Sequence, residues 1–301
     1  MSIKLSVHGF AFALFVVAKA NATPFTFSAS NPFDQRANDF HAVFTGTGGT
    51  LSNPVLLENA PGAEAPTTLT TSFNELDIAW QEKAGNGVEK GESIKFKFES
   101  AHAPVEPYSY TWTFNGADVG SVHGLNGHEY AVIFDSGLTW EAAKEQAQAR
   151  GDGWHLATIT SEAEQGLVAS ILDGESGQYF LGGFQDPTAT DVGDGWQWVT
   201  GETWSYENWY SGFNSLVGEN LTEPNDFNSS NPTERVENHT EDYLSVWGLY
   251  DWKWNDTFST AAFGSETSGY VIERTVPAPG SILLMGIGLV SLIYRVRRNS
   301  P

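Results

Sequence analysis

Two short segments in the second half of the chain carry residue types that bind a hard metal ion. Glu223-Pro224-Asn225 offers a carboxylate and an amide within three residues, and Asn255-Asp256 repeats the combination further along the chain. Carboxylate and amide oxygens suit Ca²⁺, which takes about six to eight oxygen ligands. Because acidic turns with Asn and Pro are common in loops, neither segment is decisive alone. Together they predict a calcium site.

The elements that must position these segments begin with two helices. Thr139 is a predicted N-cap for a helix that runs to Gln148, and Trp140, Ala143 and Ala147 fall on its apolar face. Ser161 is the predicted cap of a second helix, with a glutamate three residues later at the capping-box spacing. Apolar runs then predict strands over Leu156–Ile159, Tyr179–Phe184 and Trp196–Val199.

Residues 23–125 have a different character. Apolar and charged or polar residues alternate over Ser93–Glu99 and Ser109–Phe114, as in half-buried strands, and glycine-rich segments between them predict turns. The pattern predicts a β-rich, sandwich-like domain, and no chemistry-bearing motif stands out in it.

The order of features over residues 126–274 resembles that of the C-type lectin-like domain. The features are the Trp140 helix, Leu156-Ala157-Thr158-Ile159, the Leu181-Gly182 strand, Trp198-Val199-Thr200-Gly201, Tyr206-Glu207-Asn208-Trp209, Glu223-Pro224-Asn225, Trp254-Asn255-Asp256 and Tyr270-Val271-Ile272-Glu273. The resemblance implies an α+β, C-type lectin-like fold with two helices, antiparallel sheets and a long calcium-binding loop region. This fold would follow an all-β sandwich-like domain.

The resemblance also implies a ligand set. It predicts a cis peptide bond before Pro224 and a Ca²⁺ ion held by Glu223, Asn225, Glu241, Asn255 and Asp256. Four of these residues, Glu223, Asn225, Glu241 and Asn255, would also bind the sugar. Glu234 and Glu237 compete with Glu241 for its role, because the loop before it is longer than usual for the family.

Further positions follow from the same resemblance. The candidates for a second, auxiliary metal site are Asp186, Asp191, Asp194, Asp226 and Asp242. The family's two disulfides are absent: Ala147 and Ile272 stand at one pair of cysteine positions, and Tyr243 and Ser259 fall near the other pair.

The resemblance implies a calcium-dependent lectin for sugars with equatorial vicinal hydroxyls, of the mannose, glucose, N-acetylglucosamine or fucose type. The alternative is a structural matrix or adhesion protein that uses the lectin-like fold for protein contacts without sugar binding. An enzyme is not expected, since the histidines are scattered and neither an HExxH nor a G-x-S-x-G motif occurs.

Composition narrows the partners. The formal charge of −22 argues against nucleic acid, which is bound through clustered Lys and Arg. The chain has no cysteine, so disulfides and thiolate metal sites are excluded.

Both ends are interpreted as targeting segments. Residues 1–22 combine Lys4, an apolar run and Ala20-Asn21-Ala22, which predicts a signal peptide and export. Residues 275–301 combine a Pro-rich box, an apolar run predicted to be a transmembrane helix, and Arg295, Arg297 and Arg298. This tail resembles a PEP-CTERM sorting signal, which implies an exosortase-type processing enzyme as a partner. The protein would be anchored in the inner membrane by the C-terminal helix, or released to the cell surface or extracellular matrix. A plain membrane anchor is the alternative.

Overall fold

The computed structural model describes residues 22–80, 87–215, 218–227, 235–260 and 267–276. Within these ranges the first half of the chain forms eight strands: β1 Thr23–Ser30, β2 Asp39–Thr45, β3 Ser52–Glu58, β4 Thr68–Thr71, β5 Glu75–Ala79, β6 Ser93–Ser100, β7 Val105–Phe114 and β8 Ala117–Leu125. The predicted signal peptide, the apolar C-terminal run and Glu234 lie outside the described residues.

The described part of the second half forms two α-helices and nine strands. They are β9 His128–Ile133, α1 Trp140–Ala149, β10 His155–Leu156, α2 Glu162–Ile171, β11 Gln178–Gln185, β12 Trp196–Trp198, β13 Ser211–Asn214, β14 Glu219–Thr222, β15 Tyr243–Trp247, β16 Lys253–Thr257 and β17 Gly269–Thr275. A short 3-10 helix, Gly248–Tyr250, joins β15 to β16. Two helices with mainly antiparallel sheets confirm the α+β class predicted from the sequence.

The first half is a two-layer sandwich, as predicted. β1, β6 and β3 form an antiparallel sheet of three strands, and every second residue of β6 is buried. The ring of Phe27 from this sheet packs edge-on against Phe44 and Tyr108 of the opposite layer, with centroid distances of 5.2 and 5.1 Å. Such aromatic pairs add to the apolar area that holds the layers together.

A single sheet connects the two halves. Its strands follow the order β16-β15-β11-β17-β9-β8-β7-β2-β5-β4, and all neighbours pair antiparallel except β11 and β17. The predicted boundary near residue 125 falls at the Asn126-Gly127 turn, where β8 and β9 pair directly. Both turn residues have a positive φ, of 56° and 78°, as a type I′ hairpin requires. The division into two domains stays a prediction.

The two helices begin where their caps predict. The Thr139 hydroxyl accepts a hydrogen bond from the Ala142 amide, and the Ser161 hydroxyl accepts one from Glu164. Trp140, Ala143 and Ala147 are buried, as expected for the apolar face of α1. The strand predicted over Leu156–Ile159 is wrong in extent, since only His155–Leu156 pairs, with β17. The next amide, that of Ala157, donates to Val271, and that of Thr158 donates to the Glu273 carboxylate, so the chain leaves the ladder there.

Buried charges also join the halves. The Glu129 carboxylate on β9 accepts hydrogen bonds from Tyr108, Tyr110 and the Arg274 Nε, at 2.9, 3.0 and 2.8 Å. The fully buried Arg150, at the end of α1, donates to the Pro32 carbonyl, to Asp34 and to the Tyr270 hydroxyl. These contacts fix the lectin-like half against the sandwich.

Candidate functional site

The two predicted segments meet because Tyr210 lies between them. The Tyr210 amide donates to the Trp254 carbonyl at 2.9 Å, and the Glu223 amide donates to the Tyr210 carbonyl at 2.8 Å. Glu223 follows β14 directly, and Asn255 lies on β16. The Glu223–Pro224 peptide bond is cis.

The Asp256 side chain joins the Asn255-Asp256 segment to the Glu-Pro-Asn segment through hydrogen bonds. Its Oδ2 atom accepts hydrogen bonds from the backbone amides of Asn225 and Asp226, at 2.8 and 2.7 Å. Its Oδ1 atom is buried and has no hydrogen-bond partner. One oxygen of this carboxylate therefore holds the backbone of the Glu-Pro-Asn segment, and the other faces the site.

Glu241 approaches Glu223 and Asp256 from the long loop before β15, near enough for their charges to act on its carboxyl. Its Oε2 atom accepts a hydrogen bond from the Phe227 amide at 2.5 Å. The charges of Asp256, Glu223 and Asp226 all act on its carboxyl. Of the two competing glutamates, Glu237 lies instead beside His239, at 3.2 Å, and Glu234 falls outside the described residues.

The five predicted ligands are all withdrawn from solvent. Glu223, Asn225, Glu241, Asn255 and Asp256 are each at most 5% exposed. Among the described residues, Glu223 Oε2, Asn225 Oδ1 and Asp256 Oδ1 are buried without a hydrogen-bond partner. An unpaired buried polar atom is costly, and the Glu223 and Asp256 carboxyls also lie close enough to share a hydrogen bond, so these oxygens favour either a shared proton or a positive partner.

The electrostatics agree with this geometry. Burial, reinforced by the negative charge of Asp256, raises the pKa of Glu223 to about 9. Burial also raises the pKa of Asp256 to about 6, and burial together with Asp256 raises that of Glu241 well above its usual range. Carboxyls that repel each other in a desolvated pocket favour either a shared proton or a bound cation.

The donor set suits Ca²⁺. It consists of carboxylate and amide oxygens with no sulfur and no imidazole, which matches a hard divalent cation. When bound, such an ion would offset the carboxylate charges and accept further oxygen ligands from a bound molecule. Glu223, Asn225, Glu241, Asn255 and Asp256 would hold it.

Most acids predicted for an auxiliary metal site already have partners. The carboxylates of Asp186 and Asp191 accept hydrogen bonds from Thr188 and Gly193, within their own turns. The Asp226 carboxylate accepts the amides of Asn238, Thr240 and Glu241 and the Thr240 hydroxyl. Asp242 lies 3.3 Å from His239, and the carbonyl of Asp194 accepts the Gln185 amide group. The auxiliary ion stays a prediction.

Sequence reasoning missed two supporting residues. The Tyr250 hydroxyl donates to Glu223 Oε1 at 3.1 Å and accepts from the Asn214 amide group at 2.7 Å. Arg235 donates through Nε to the Pro224 carbonyl at 2.9 Å. Tyr250 lies in the 3-10 helix and Arg235 in the long loop, and neither position has a local pattern that would reveal its contact.

The positions of the missing disulfides are filled in two ways. Ala147 and Ile272 are both buried in the same apolar cluster. Tyr243 and Ser259 each donate a hydrogen bond of 2.5 Å to the Glu141 carboxylate at the start of α1. A carboxylate thus links the two segments through hydrogen bonds.

A comparison with protein families agrees with the predicted sorting signal. Residues 275–298 match the family model described as the PEP-CTERM protein-sorting motif, which confirms the predicted sorting signal and implies export and exosortase processing. In the described part of the chain, no helix is long and apolar enough to cross a membrane.

Similarity in the rest of the chain is partial. The human regenerating islet-derived protein 4 is 32% identical over 71 residues, which is 23% of this chain and 43% of that protein. The chain spans less than half the length of the curated relatives that it matches. The carbohydrate-recognition domain of the mouse scavenger receptor C-type lectin is 19% identical, with 52% of this chain and 95% of that chain covered and a TM-score of 0.37. A calcium-independent type II antifreeze protein is 18% identical, with coverage of 52% and 92% and a TM-score of 0.36.

Proposed function

We propose that the protein is an exported, calcium-dependent carbohydrate-binding protein. The observation that supports it best is the contact of Asp256 with both Glu223 and Asn225, in which each of the three side chains has a buried oxygen that accepts no hydrogen bond from a protein donor. The buried Glu241 and Asn255 complete a set of oxygen ligands typical of Ca²⁺.

The same residues have the chemistry to bind a sugar. Two vicinal hydroxyls would each give a lone pair to the ion and donate a hydrogen bond to a carboxylate oxygen of Glu223 or Glu241. The amides of Asn225 and Asn255 would donate to the remaining lone pairs. In the order acid, proline, amide, the resemblance favours equatorial hydroxyls of the mannose, glucose, N-acetylglucosamine or fucose type.

The proposed setting is the cell surface or the extracellular matrix. A signal peptide at residues 1–22 would direct export, and the apolar helix of the C-terminal tail would hold the protein in the inner membrane. Processing by an exosortase would then release the protein to the cell surface or matrix, where polysaccharide is the proposed partner. The PEP-CTERM match over residues 275–298 supports this route.

Glycan binding with and without Ca²⁺ tests the proposal. We expect immobilised mannose- and glucose-type glycans to retain the protein in Ca²⁺ and to release it when the ion is chelated. Glu241→Gln should abolish this binding. Glu219→Gln, an exposed acid on the neighbouring strand β14, is the matched control and should bind as the wild type does. Binding that ignores chelation would contradict the proposal.

The alternative is a structural adhesion protein that uses the fold for protein contacts. It is compatible with the raised pKa of Glu223, because a proton can neutralise that carboxyl near pH 7 without any ion. This alternative predicts no competition by monosaccharides and no change in partner binding on chelation. A monosaccharide that competes only in Ca²⁺ would exclude it.

A further inference from the structure

Three side chains of the long loop, one imidazole and two carboxylates, lie close together beside the proposed sugar site. Glu237, His239 and Asp242 each offer a ligand atom, and all three atoms lie within 4.8 Å of one another. His239 Nδ1 is 3.2 Å from Glu237 Oε1 and 3.3 Å from Asp242 Oδ1. We propose that this cluster is a second metal site, selective for a divalent transition-metal ion such as Zn²⁺.

A surface ion pair alone does not explain Glu237. Its side chain is only 4% exposed, although it belongs to a loop, and its Oε2 atom is buried and has no hydrogen bond of good geometry. Burial raises the pKa of this carboxyl, while the Gln185 side chain acts on the same carboxyl and lowers its pKa. Its other oxygen already faces His239. A carboxylate that is withdrawn from water with one oxygen poorly paired favours a positive partner, and an ion at this cluster would supply it.

The approach to this cluster is open on one side. The side chain of His239 is 37% exposed and that of Asp242 is 21% exposed. An ion can therefore enter from solvent and keep a water molecule as a further ligand. Three protein ligands with an open position form a usual zinc arrangement.

The identity of the ion follows from the ligand types. Zn²⁺ binds imidazole nitrogen and carboxylate oxygen at about 2.0–2.2 Å, so that neighbouring ligands in a tetrahedron lie roughly 3.3 Å apart. The two distances from His239 match this spacing. Since Ca²⁺ takes oxygen ligands, the imidazole directs the site toward transition metals.

The cluster is separate from the five-ligand site. Glu241 lies between His239 and Asp242 in sequence but accepts the Phe227 amide on the other side of the loop. Asp226 lies between the two sites, and its carboxylate is occupied by four hydrogen bonds from Asn238, Thr240 and Glu241. The two sites therefore use different ligand atoms.

Titration of the full-length chain with Zn²⁺ in excess Ca²⁺, followed by calorimetry, tests this inference. Wild type should bind one Zn²⁺ ion, and Co²⁺ in its place should give a visible absorption band from imidazole and carboxylate ligation. Both signals should be lost in His239→Gln. The matched control is His41→Gln, since His41 contacts a single carboxylate, Asp77, on the sandwich half, and both signals should persist there.

Two results would contradict the proposed zinc site. Equal Zn²⁺ binding in wild type and His239→Gln overturns the inference. So does Zn²⁺ binding that is lost in Glu223→Gln and retained in His239→Gln, because the ion would then occupy the five-ligand site. Calcium-dependent glycan binding, measured separately in His239→Gln without Zn²⁺, should be unchanged, so that failure of the zinc site and failure of the lectin proposal are distinguishable.

Discussion

Tyr250 forms a hydrogen bond with only one of the two oxygens of the Glu223 carboxylate. Its hydroxyl donates to Oε1, while Oε2 is buried and unpaired. The ring of Tyr250 is itself held by a stacked contact with Tyr210, at a centroid distance of 3.8 Å. A hydrogen bond from such a supporting residue orients a metal ligand before the ion arrives.

Tyr250→Phe should therefore weaken Ca²⁺ binding without removing a ligand. We expect the affinity to fall roughly tenfold, as is typical when a partner of a metal ligand is lost. Calorimetric titration with Ca²⁺ measures the change. Tyr210→Phe is the control, because that hydroxyl donates to the Phe213 carbonyl and not to the site. Equal affinities for the two variants would contradict this role of Tyr250.

At single residues, the sequence indicates the candidate ligands but not the residues that support them. Glu223, Asn225 and Asp256 are recognisable because acids and amides stand next to one another in short segments. Tyr250 is not recognisable, since its contact depends on how the turn after β15 folds back on β14. The sequence likewise does not distinguish among the three glutamates of the long loop, because spacing alone does not fix where a loop residue points.

The long loop is an element organised by one side chain. The Asp226 carboxylate accepts three backbone amides and one hydroxyl from residues 238–241, which places Glu241 at the site. In the sequence, Asp226 was a candidate metal ligand. Its partners in the structure indicate that it orders the loop.

Asp226→Ala should loosen this loop. Hydrogen bonds to a charged acceptor contribute about 1.5–3 kcal/mol, so we expect the amides of Thr240 and Glu241 to exchange hydrogen at least about tenfold faster. Hydrogen exchange with detection at these amides is the measurement. Asp191→Ala is the control, because its carboxylate caps the Gly193 amide in another turn. Unchanged exchange at Thr240 would show that the loop is held by other contacts.

Glu141 joins helix α1 to the segments that carry Tyr243 and Ser259. Burial raises the pKa of Glu141, but hydrogen bonds from Ser259 and Tyr243 outweigh it, so that the pKa lies below its usual value. Glu141→Ala removes both bonds, and we expect the free energy of unfolding to fall by about 1 kcal/mol near pH 7. Because the folded pKa is lowered, this loss should shrink as the pH falls below about 4.5.

Chemical denaturation of Glu141→Ala near pH 7 and below about pH 4.5 measures this loss of unfolding free energy. Glu145→Ala, on the exposed face one turn later, is the matched control for helix propensity. A difference between the two variants that stays constant with pH would mean that the two hydrogen bonds do not stabilise the ionised carboxylate.

Among the elements, local signals predict the helices well and the sheet poorly. Thr139 and Ser161 announce the helix starts because an N-cap is a local hydrogen bond. The Asn126-Gly127 dipeptide is a local signal for the hairpin that joins β8 to β9. The composition of the sequence changes at the same place, which favours a domain boundary instead of a hairpin. The pairing of strands that are distant in sequence, such as β9 with β17, cannot be predicted from the sequence of either strand alone.

At the scale of the whole molecule, the junction of the halves contains a titratable pair. His128, the first residue of β9, contacts the buried Glu273 carboxylate of β17. This contact raises the pKa of His128, although partial burial opposes it. The pair therefore adds stability that is fully present below about pH 6.5, the unfolded pKa, and is lost as the pH rises through the higher folded pKa.

His128→Asn should accordingly destabilise the protein more in acid than in base. We expect the difference in unfolding free energy from wild type to be largest near about pH 5.5 and to decline by about pH 9. Denaturation curves across this range measure it. His155→Asn, another partly buried histidine, is the control, because its ring bonds to the carbonyl of Leu156 and not to a carboxylate. A penalty for His128→Asn that grows with pH would contradict the assignment.

Glu129 accepts hydrogen bonds from two tyrosines of the sandwich and is paired with Arg274 of its own half. Burial raises the pKa of Glu129, and the charge and hydrogen bond of Arg274 offset part of that effect. Arg274→Met leaves the carboxylate buried beside two tyrosines without its cation, which should cost about 3–5 kcal/mol. Lys95→Met breaks an exposed pair with Glu58 and should cost at most about 1 kcal/mol.

A double substitution distinguishes a lost charge from lost packing. Glu129→Leu combined with Arg274→Met removes both charges, and we expect it to recover much of the stability lost in Arg274→Met alone, since apolar pairs can replace buried ion pairs at little cost. The continuous sheet also implies that the halves unfold together, so that amide protection of β6 in the sandwich and of β15 in the other half should be lost at one midpoint in every variant. Two separate midpoints in Arg274→Met would show that the halves are able to unfold separately once the Glu129 carboxylate, which bonds to Tyr108 and Tyr110 of the sandwich, loses its cation.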